Sequence, residues 1–264
     1  MHASSGCPVW RWVGSLACLW WVALAQAGEA GIPILCYHRF DAGQPGSTTV
    51  TMPVFEAQLD WLAQHGYRVV SLREALATLK AGAPAAGQVV ITVDDGHRSV
   101  YTELYPLIQR RRLPVTLFIY PSAISKATYA LSWQQLQTMA DSGLVDVQSH
   151  TLWHPDFRAE KAHRDADDYA QFAARQLAAS KSEIEAHLGR PVDLLAWPWG
   201  YHDATLERLA ARSGYIAAFA LGSRPARSGD RPYALPRTMV FDSDRGARFA
   251  AIIESTRAQP VSAP

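Results

Sequence analysis

The chain has 264 residues, 48% of them apolar, with 25 Lys and Arg against 24 Asp and Glu. A formal net charge of +1 leaves no electrostatic footprint for nucleic acid or for a polybasic membrane patch. The length suits a single domain with a sizeable core.

Arg11 precedes a mostly apolar run over 13–25 that closes on Ala25-Gln26-Ala27. This is the pattern of a signal peptide, residues 1–27, cleaved after Ala27; it is too short for a comfortable membrane span. Export to the periplasm or the medium is expected, with no stable membrane span after cleavage. Cys7 and Cys18 leave with the leader, so Cys36 stays as a single thiol, read as a small buried hydrophobe. The domain is expected over 28–257 and a disordered tail over 258–264.

Strands and helices then alternate. A strand over 32–37 leads through a Gly/Pro/Ser/Thr loop to a helix over 53–65, where Phe55, Leu59 and Leu62 form a stripe. A strand over 68–70 precedes a helix over 72–80, with Ser71 as N-cap and Glu74 in the capping-box position. Val89 to Val93 reads as a buried β-branched strand, followed by a helix over 99–112 and a strand over 115–120. Ser132 opens a helix that Gly143 ends, and 144–148 is the next strand. A long helix over 165–188, a strand over 193–196, a helix over 203–213, strands over 215–220 and 237–241, and a helix over 244–256 complete the chain. Such alternation argues for an α/β fold whose parallel sheet closes into a barrel.

Three polar clusters follow strands. Val93 runs into Asp94-Asp95-Gly96, and carboxylates at the end of a buried strand require a partner, unless one simply caps the next helix. His150 and His154 stand four apart and share a face if they make a helical turn. Two histidines and one carboxylate leave an open metal position, the composition of a catalytic zinc site; otherwise they are surface or capping histidines. Trp197-Pro198-Trp199-Gly200-Tyr201 breaks another apolar run, either lining a sugar groove or bounding the core. In parallel βα folds such clusters meet on the rim of strand C-termini.

Together these residues resemble the polysaccharide deacetylase family, the NodB-homology carbohydrate esterases. Thr92-Val93-Asp94-Asp95-Gly96 is similar to its TFDDG motif, with Val93 in place of Phe. Residues 149–154 are similar to its H(S/T)xxH motif, and Ala196-Trp197-Pro198-Trp199-Gly200 occupies the place of RxPYG. The Tyr37-His38 of the opening strand resembles the subgroup that deacetylates poly-N-acetylglucosamine. The resemblance implies a distorted (β/α) barrel that hydrolyses N-acetyl groups from an N-acetylglucosamine polymer, poly-β-1,6-N-acetylglucosamine first. It implies a divalent metal, zinc with cobalt or nickel as alternatives, held by Asp95, His150 and His154. Asp94 is then the general base and the Trp199 backbone N–H the oxyanion donor. Tyr37, His38, Trp153, Pro198, Trp199, Gly200 and Tyr201 are the expected substrate contacts.

The chain departs from the family at two points. Ala196 stands where an Arg orients the base, and Arg237 is expected to replace it. No late Leu-x-x-His supplies the general acid, which leaves His202, followed by His38 and His97. Two other readings stay open: a weakly active or inactive glycan-binding component, and a hydrolase of small cyclic amides. Expected partners are the acetylated glycan and the polysaccharide export machinery, with no nucleic acid.

Overall fold

The computed structural model describes residues 1–2, 31–83 and 85–254. The expected leader from residue 3 onward, Cys7, Cys18 and the tail 258–264 lie outside the described residues.

The strands are β1 (Ile34–Tyr37), β2 (Arg39–Asp41), β3 (Thr49–Thr51), β4 (Arg68–Val70), β5 (Gln88–Asp95), β6 (Val115–Ile119), β7 (Val145–Ser149), β8 (Leu194–Ala196), β9 (Ala217–Leu221) and β10 (Leu235–Met239). The helices are α1 (Met52–Gln64), α2 (Leu72–Lys80), α3 (Tyr105–Arg111), α4 (Trp133–Asp141), α5 (Phe157–Ala162), α6 (Ala166–Leu188), α7 (Ala204–Arg212) and α8 (Ala247–Glu254). Seven parallel strands run in the order β1-β10-β9-β8-β7-β6-β5, and β1 pairs with β5 to close the ring. The β4 strand pairs with the N-terminal half of β5. The chain is an α/β barrel, as the sequence implies.

Capping chemistry sets several helix boundaries. Ser71 accepts the Glu74 N–H, although Glu74 itself turns to Arg68 at 2.8 Å. Ser132 and Gln135 form a full capping box on α4. Asp165 opens α6, and Gly189 ends it in the left-handed region at φ 60°. The helix after the Asp-Asp-Gly turn begins as a widened π turn, Val100–Leu104, before α3.

Strand alternation divides the side chains into two layers. Ile34, Val90, Phe118, Leu194, Ala196 and Phe219 share one cluster, the barrel interior, and Leu72, Ala75 and Leu79 of α2 join it to close the N-terminal end. Leu35, Ile91, Val93, Leu117 and Leu195, one position out of phase, pack against Phe55, Leu59, Leu136 and Leu177 of the surrounding helices. On the interior parity, Cys36, Thr92, Asp94 and Arg237 continue the inner face towards the C-terminal rim. All four are buried.

The sequence reading missed the small parallel β2–β3 sheet and α5, which Asp156 caps through the N–H groups of Arg158 and Ala159. The last strand begins at Leu235 rather than at 237. No helix among the described residues is long and apolar enough to cross a membrane.

Candidate active site

The site sits on the C-terminal rim, where β1, β5, β7, β8 and β10 end. Asp94 is 2% exposed, and its two carboxylate oxygens each accept a hydrogen bond from Arg237 at 2.7 Å. The guanidinium also donates to Thr92 Oγ1 at 3.1 Å and lies over the Phe118 ring. Burial alone pushes the Asp94 carboxyl up, but the Arg237 charge prevails and holds it well below the usual carboxylate range. A planar bidentate fork of this kind is how arginine fixes a carboxylate in orientation as well as charge. The structure thus brings Arg237 to Asp94, where Ala196 has no side chain to offer.

Asp95 turns the other way. Its backbone is left-handed at φ 72°, and Gly96 follows at φ 72° with Ile119 so close that a Cβ would meet it at 3.0 Å. This turn sends Asp95 Oδ1 towards His150 Nε2 at 3.8 Å and His154 Nε2 at 3.7 Å. The backbone carbonyl of Ala196 accepts from His150 Nδ1 at 2.8 Å, which leaves Nε2 as the lone-pair nitrogen facing the cluster. Burial, then the neighbouring His150, pushes the His154 ring down to about 4, so that ring is neutral at ordinary pH. Of the six non-glycine residues with positive φ among those described, four lie in the three motifs: Asp95, Thr151, His154 and Trp199. A concentration of left-handed backbone at three strand ends is the arrangement expected where a site, and not packing, sets the turns.

The triad fits a divalent cation. One ligand atom from each of Asp95, His150 and His154 lies within 4.8 Å of the others, beyond hydrogen-bonding distance from Asp95 to either ring. Two imidazoles and a carboxylate are the donor set of an open zinc site, and His150 has the carbonyl contact that orients metal-binding histidines.

Comparison with known proteins now fixes the family. The model of the polysaccharide deacetylases matches residues 81–218, more than half of the chain. The chain belongs to the polysaccharide deacetylase family. It is a hydrolase of that family. A Staphylococcus epidermidis poly-β-1,6-N-acetyl-D-glucosamine N-deacetylase is 24% identical over 198 residues, 73% of this chain and 68% of that one. The structure of IcaB from Ammonifex degensii is 26% identical, covers 87% of this chain and 98% of its own, and superposes with a TM-score of 0.72. The Streptococcus pyogenes deacetylase PplD, 22% identical, shares the fold over 85% of this chain and 98% of its own, with a TM-score of 0.75.

Other expected residues of the deacetylase fall in different places. His38 follows β1 on the interior parity, and one atom each of Cys36, His38 and Asp94 lies within 4.8 Å of the others. Burial, first among its causes, holds the His38 ring towards its neutral form. His202 is bonded through Nδ1 to Glu207 at 2.8 Å and makes no hydrogen bond or ion pair with the triad or Asp94. His97 bonds to Ser99. Trp199 is 69% exposed, with its ring 5.3 Å from that of His154. Gly200, at φ 69°, has the Leu221 backbone nitrogen 2.7 Å from where a Cβ would stand, so only glycine makes this turn. Pro198 is buried beneath it, and Tyr201 lies under Arg158. Trp153 is half-exposed and packs edge-on against Phe172.

Tyr37 requires correction as a substrate contact. It is 1% exposed, and its hydroxyl donates to Gln58 of α1 at 2.9 Å. Strand alternation sends Tyr37 out to the helix layer and its neighbours Cys36 and His38 inward. Cys36 is buried as expected, but it is not only a hydrophobe: it donates its S–H to Asp94 Oδ2 at 3.4 Å, and burial pushes its thiol well up, so it keeps that proton. The inward parity with Ile34 was the signal available in the sequence.

Proposed function

We propose that this hydrolase removes N-acetyl groups from an exported N-acetylglucosamine polymer, poly-β-1,6-N-acetylglucosamine first, with a divalent metal. The observation that carries the reading is a buried Asp94 clamped by Arg237 beside the open Asp95–His150–His154 triad. Bound at the triad, a divalent ion, zinc first, supplies Lewis acidity that lowers the pKa of water and polarises an amide carbonyl. Asp94 stays ionised at any working pH and takes the proton from the attacking water, held at one angle by the guanidinium. The Trp199 backbone N–H is the donor for the oxyanion.

The general acid is His38 rather than His202: its ring, neutral at rest, receives from Asp94 the proton taken from the water and passes it to the leaving amine. Its ring lies beside Asp94 and Cys36, whereas Glu207 engages His202 at the start of α7. The polymer assignment rests on relatives that carry this activity in their names, and the export assignment on the leader sequence.

The test is acetate release from poly-β-1,6-N-acetylglucosamine oligomers by metal-stripped and by zinc- or cobalt-loaded protein. Release should need metal and fall by about 10²- to 10⁴-fold in Asp94→Asn and in His38→Ala, while His202→Ala keeps most of it. Metal-independent release, or an active Asp94→Asn, would overturn the mechanism. Metal binding without any release from this polymer, chitin or peptidoglycan fragments would favour a glycan-binding protein.

A further inference from the structure

The ring of strands has one thin seam, and the site stands across it. Strands β7 and β8 are in register at a single position, Ser149 opposite Leu195, whereas every other pair in the ring shares two or more. His150 and His154 follow β7 on one side of this seam, and Trp199 follows β8 on the other.

Side chains take the place of the short ladder. Gln148 is fully buried in β7, two residues before His150 and on the same parity. Its carbonyl accepts the N–H groups of Asp193 and Leu194 at 3.0 and 2.9 Å, at the entry of β8. Its amide donates to Asp146 Oδ1 of its own strand at 2.6 Å and to the Pro191 carbonyl at 3.4 Å. All four of its hydrogen-bonding positions are thereby used, three of them across the seam. Arg73 of α2 braces the same place, with one guanidinium donating to Asp146 at 2.9 Å and to Asp193 at 2.8 Å. Lys181 and Glu185 of α6 hold Val192 in this segment, but neither bonds to β7.

These bonds fix the far end of a very short strand. Because β8 has three residues, Leu194–Ala196, only about 7 Å of chain separates the N–H held by Gln148 from the Ala196 carbonyl. That carbonyl accepts from His150 Nδ1 at 2.8 Å, the contact that turns Nε2 towards the triad. The bond weakens once donor and acceptor drift apart by a few tenths of an ångström, and one backbone pair is a slight restraint against such drift. We infer that Gln148 is a positioning residue for His150: by tying β7 to the start of β8, it holds the Ala196 carbonyl where the His150 ring is oriented for a divalent ion. The inference rests on the triad being a metal site. An apolar side chain at 148 would strand two buried N–H groups, and β8 would shift to find them other partners. Loss of a group that orients a ligand from behind weakens metal binding by about 10- to 100-fold, and Gln148, one bond further out, belongs at the lower end.

The test is the zinc dissociation constant of the folded protein, measured by competition with a chromophoric chelator. Gln148→Leu should raise it about tenfold. Leu62→Ala, which opens a cavity under α1, should lower Tm and leave the constant unchanged. Gln148→Glu sets a carboxylate against Asp146 and should weaken zinc as well. Adding Asp146→Asn exchanges donor and acceptor between the two positions and restores the net charge, so the constant should return to within about threefold of wild type. An unchanged constant in Gln148→Leu, even with a lowered Tm, overturns the positioning role alone. If Gln148→Leu does not fold, the Gln148→Glu variants decide, and no recovery in the double variant overturns the role. A wild-type protein that binds no zinc overturns the metal-site reading and the inference with it.

Discussion

At the scale of single residues, the Arg237–Asp94 pair links stability to chemistry. Both side chains are nearly solvent-free, at 0% and 3% exposure, so removing one partner strands the other charge without water. Arg237→Ala is expected to cost about 3–5 kcal/mol of unfolding free energy, read from urea denaturation, along with most of the acetate release. Arg237→Lys should recover only part of either, because an ammonium cannot make two parallel hydrogen bonds to one carboxylate. A loss under about 1 kcal/mol in Arg237→Ala would mean that water reaches Asp94 and that the clamp does not hold it. The grouping of Asp94, Asp95, His150 and His154 was legible in the sequence because each motif is local and each follows a strand of one parallel sheet. Tyr37 was misread because a motif names residues without saying which way a strand turns them.

At the scale of elements, short-range chemistry accounts for most boundaries. The α4 helix begins where Ser132 and Gln135 satisfy each other's backbone, and Ser132→Ala is expected to lower stability by about 1 kcal/mol in the same urea experiment, with Ser132→Asn close to wild type. An unchanged Ser132→Ala midpoint would show that tertiary packing, not the cap, sets that helix start. The elements that escaped the sequence reading are those too short to carry a period. Arg39-Phe40-Asp41 and Thr49-Val50-Thr51 are three residues each, and the six residues of α5 make less than two turns. The widened turn at Val100–Leu104 comes just after the left-handed Asp95-Gly96 corner, and no propensity at 99–112 announces it.

At the scale of the whole molecule, ring closure assembles the site. The β1–β5 pairing sets Cys36 beside Thr92, and the β1–β10 pairing brings Arg237 to the same interior although 143 residues separate it from Asp94. Because the triad draws on β5 and β7, a metal bound there ties the barrel together and should stabilise the folded state alone. Zinc at 100 times its Kd is expected to add about 2.7 kcal/mol, seen as a raised Tm that chelator reverses and His150→Ala abolishes. A Tm indifferent to zinc would remove the triad as a metal site. By itself the sequence determined the alternation of strands and helices, the three motifs and their order, since hydrophobic period, capping and turn chemistry act over a few residues. Only the tertiary structure decided that Arg237 clamps Asp94, that His38 rather than His202 stands beside that carboxylate, and that Cys36 faces it. Those are contacts across a closed ring, and closure depends on strand register and on which parity faces inward, neither of which any local stretch of chain contains.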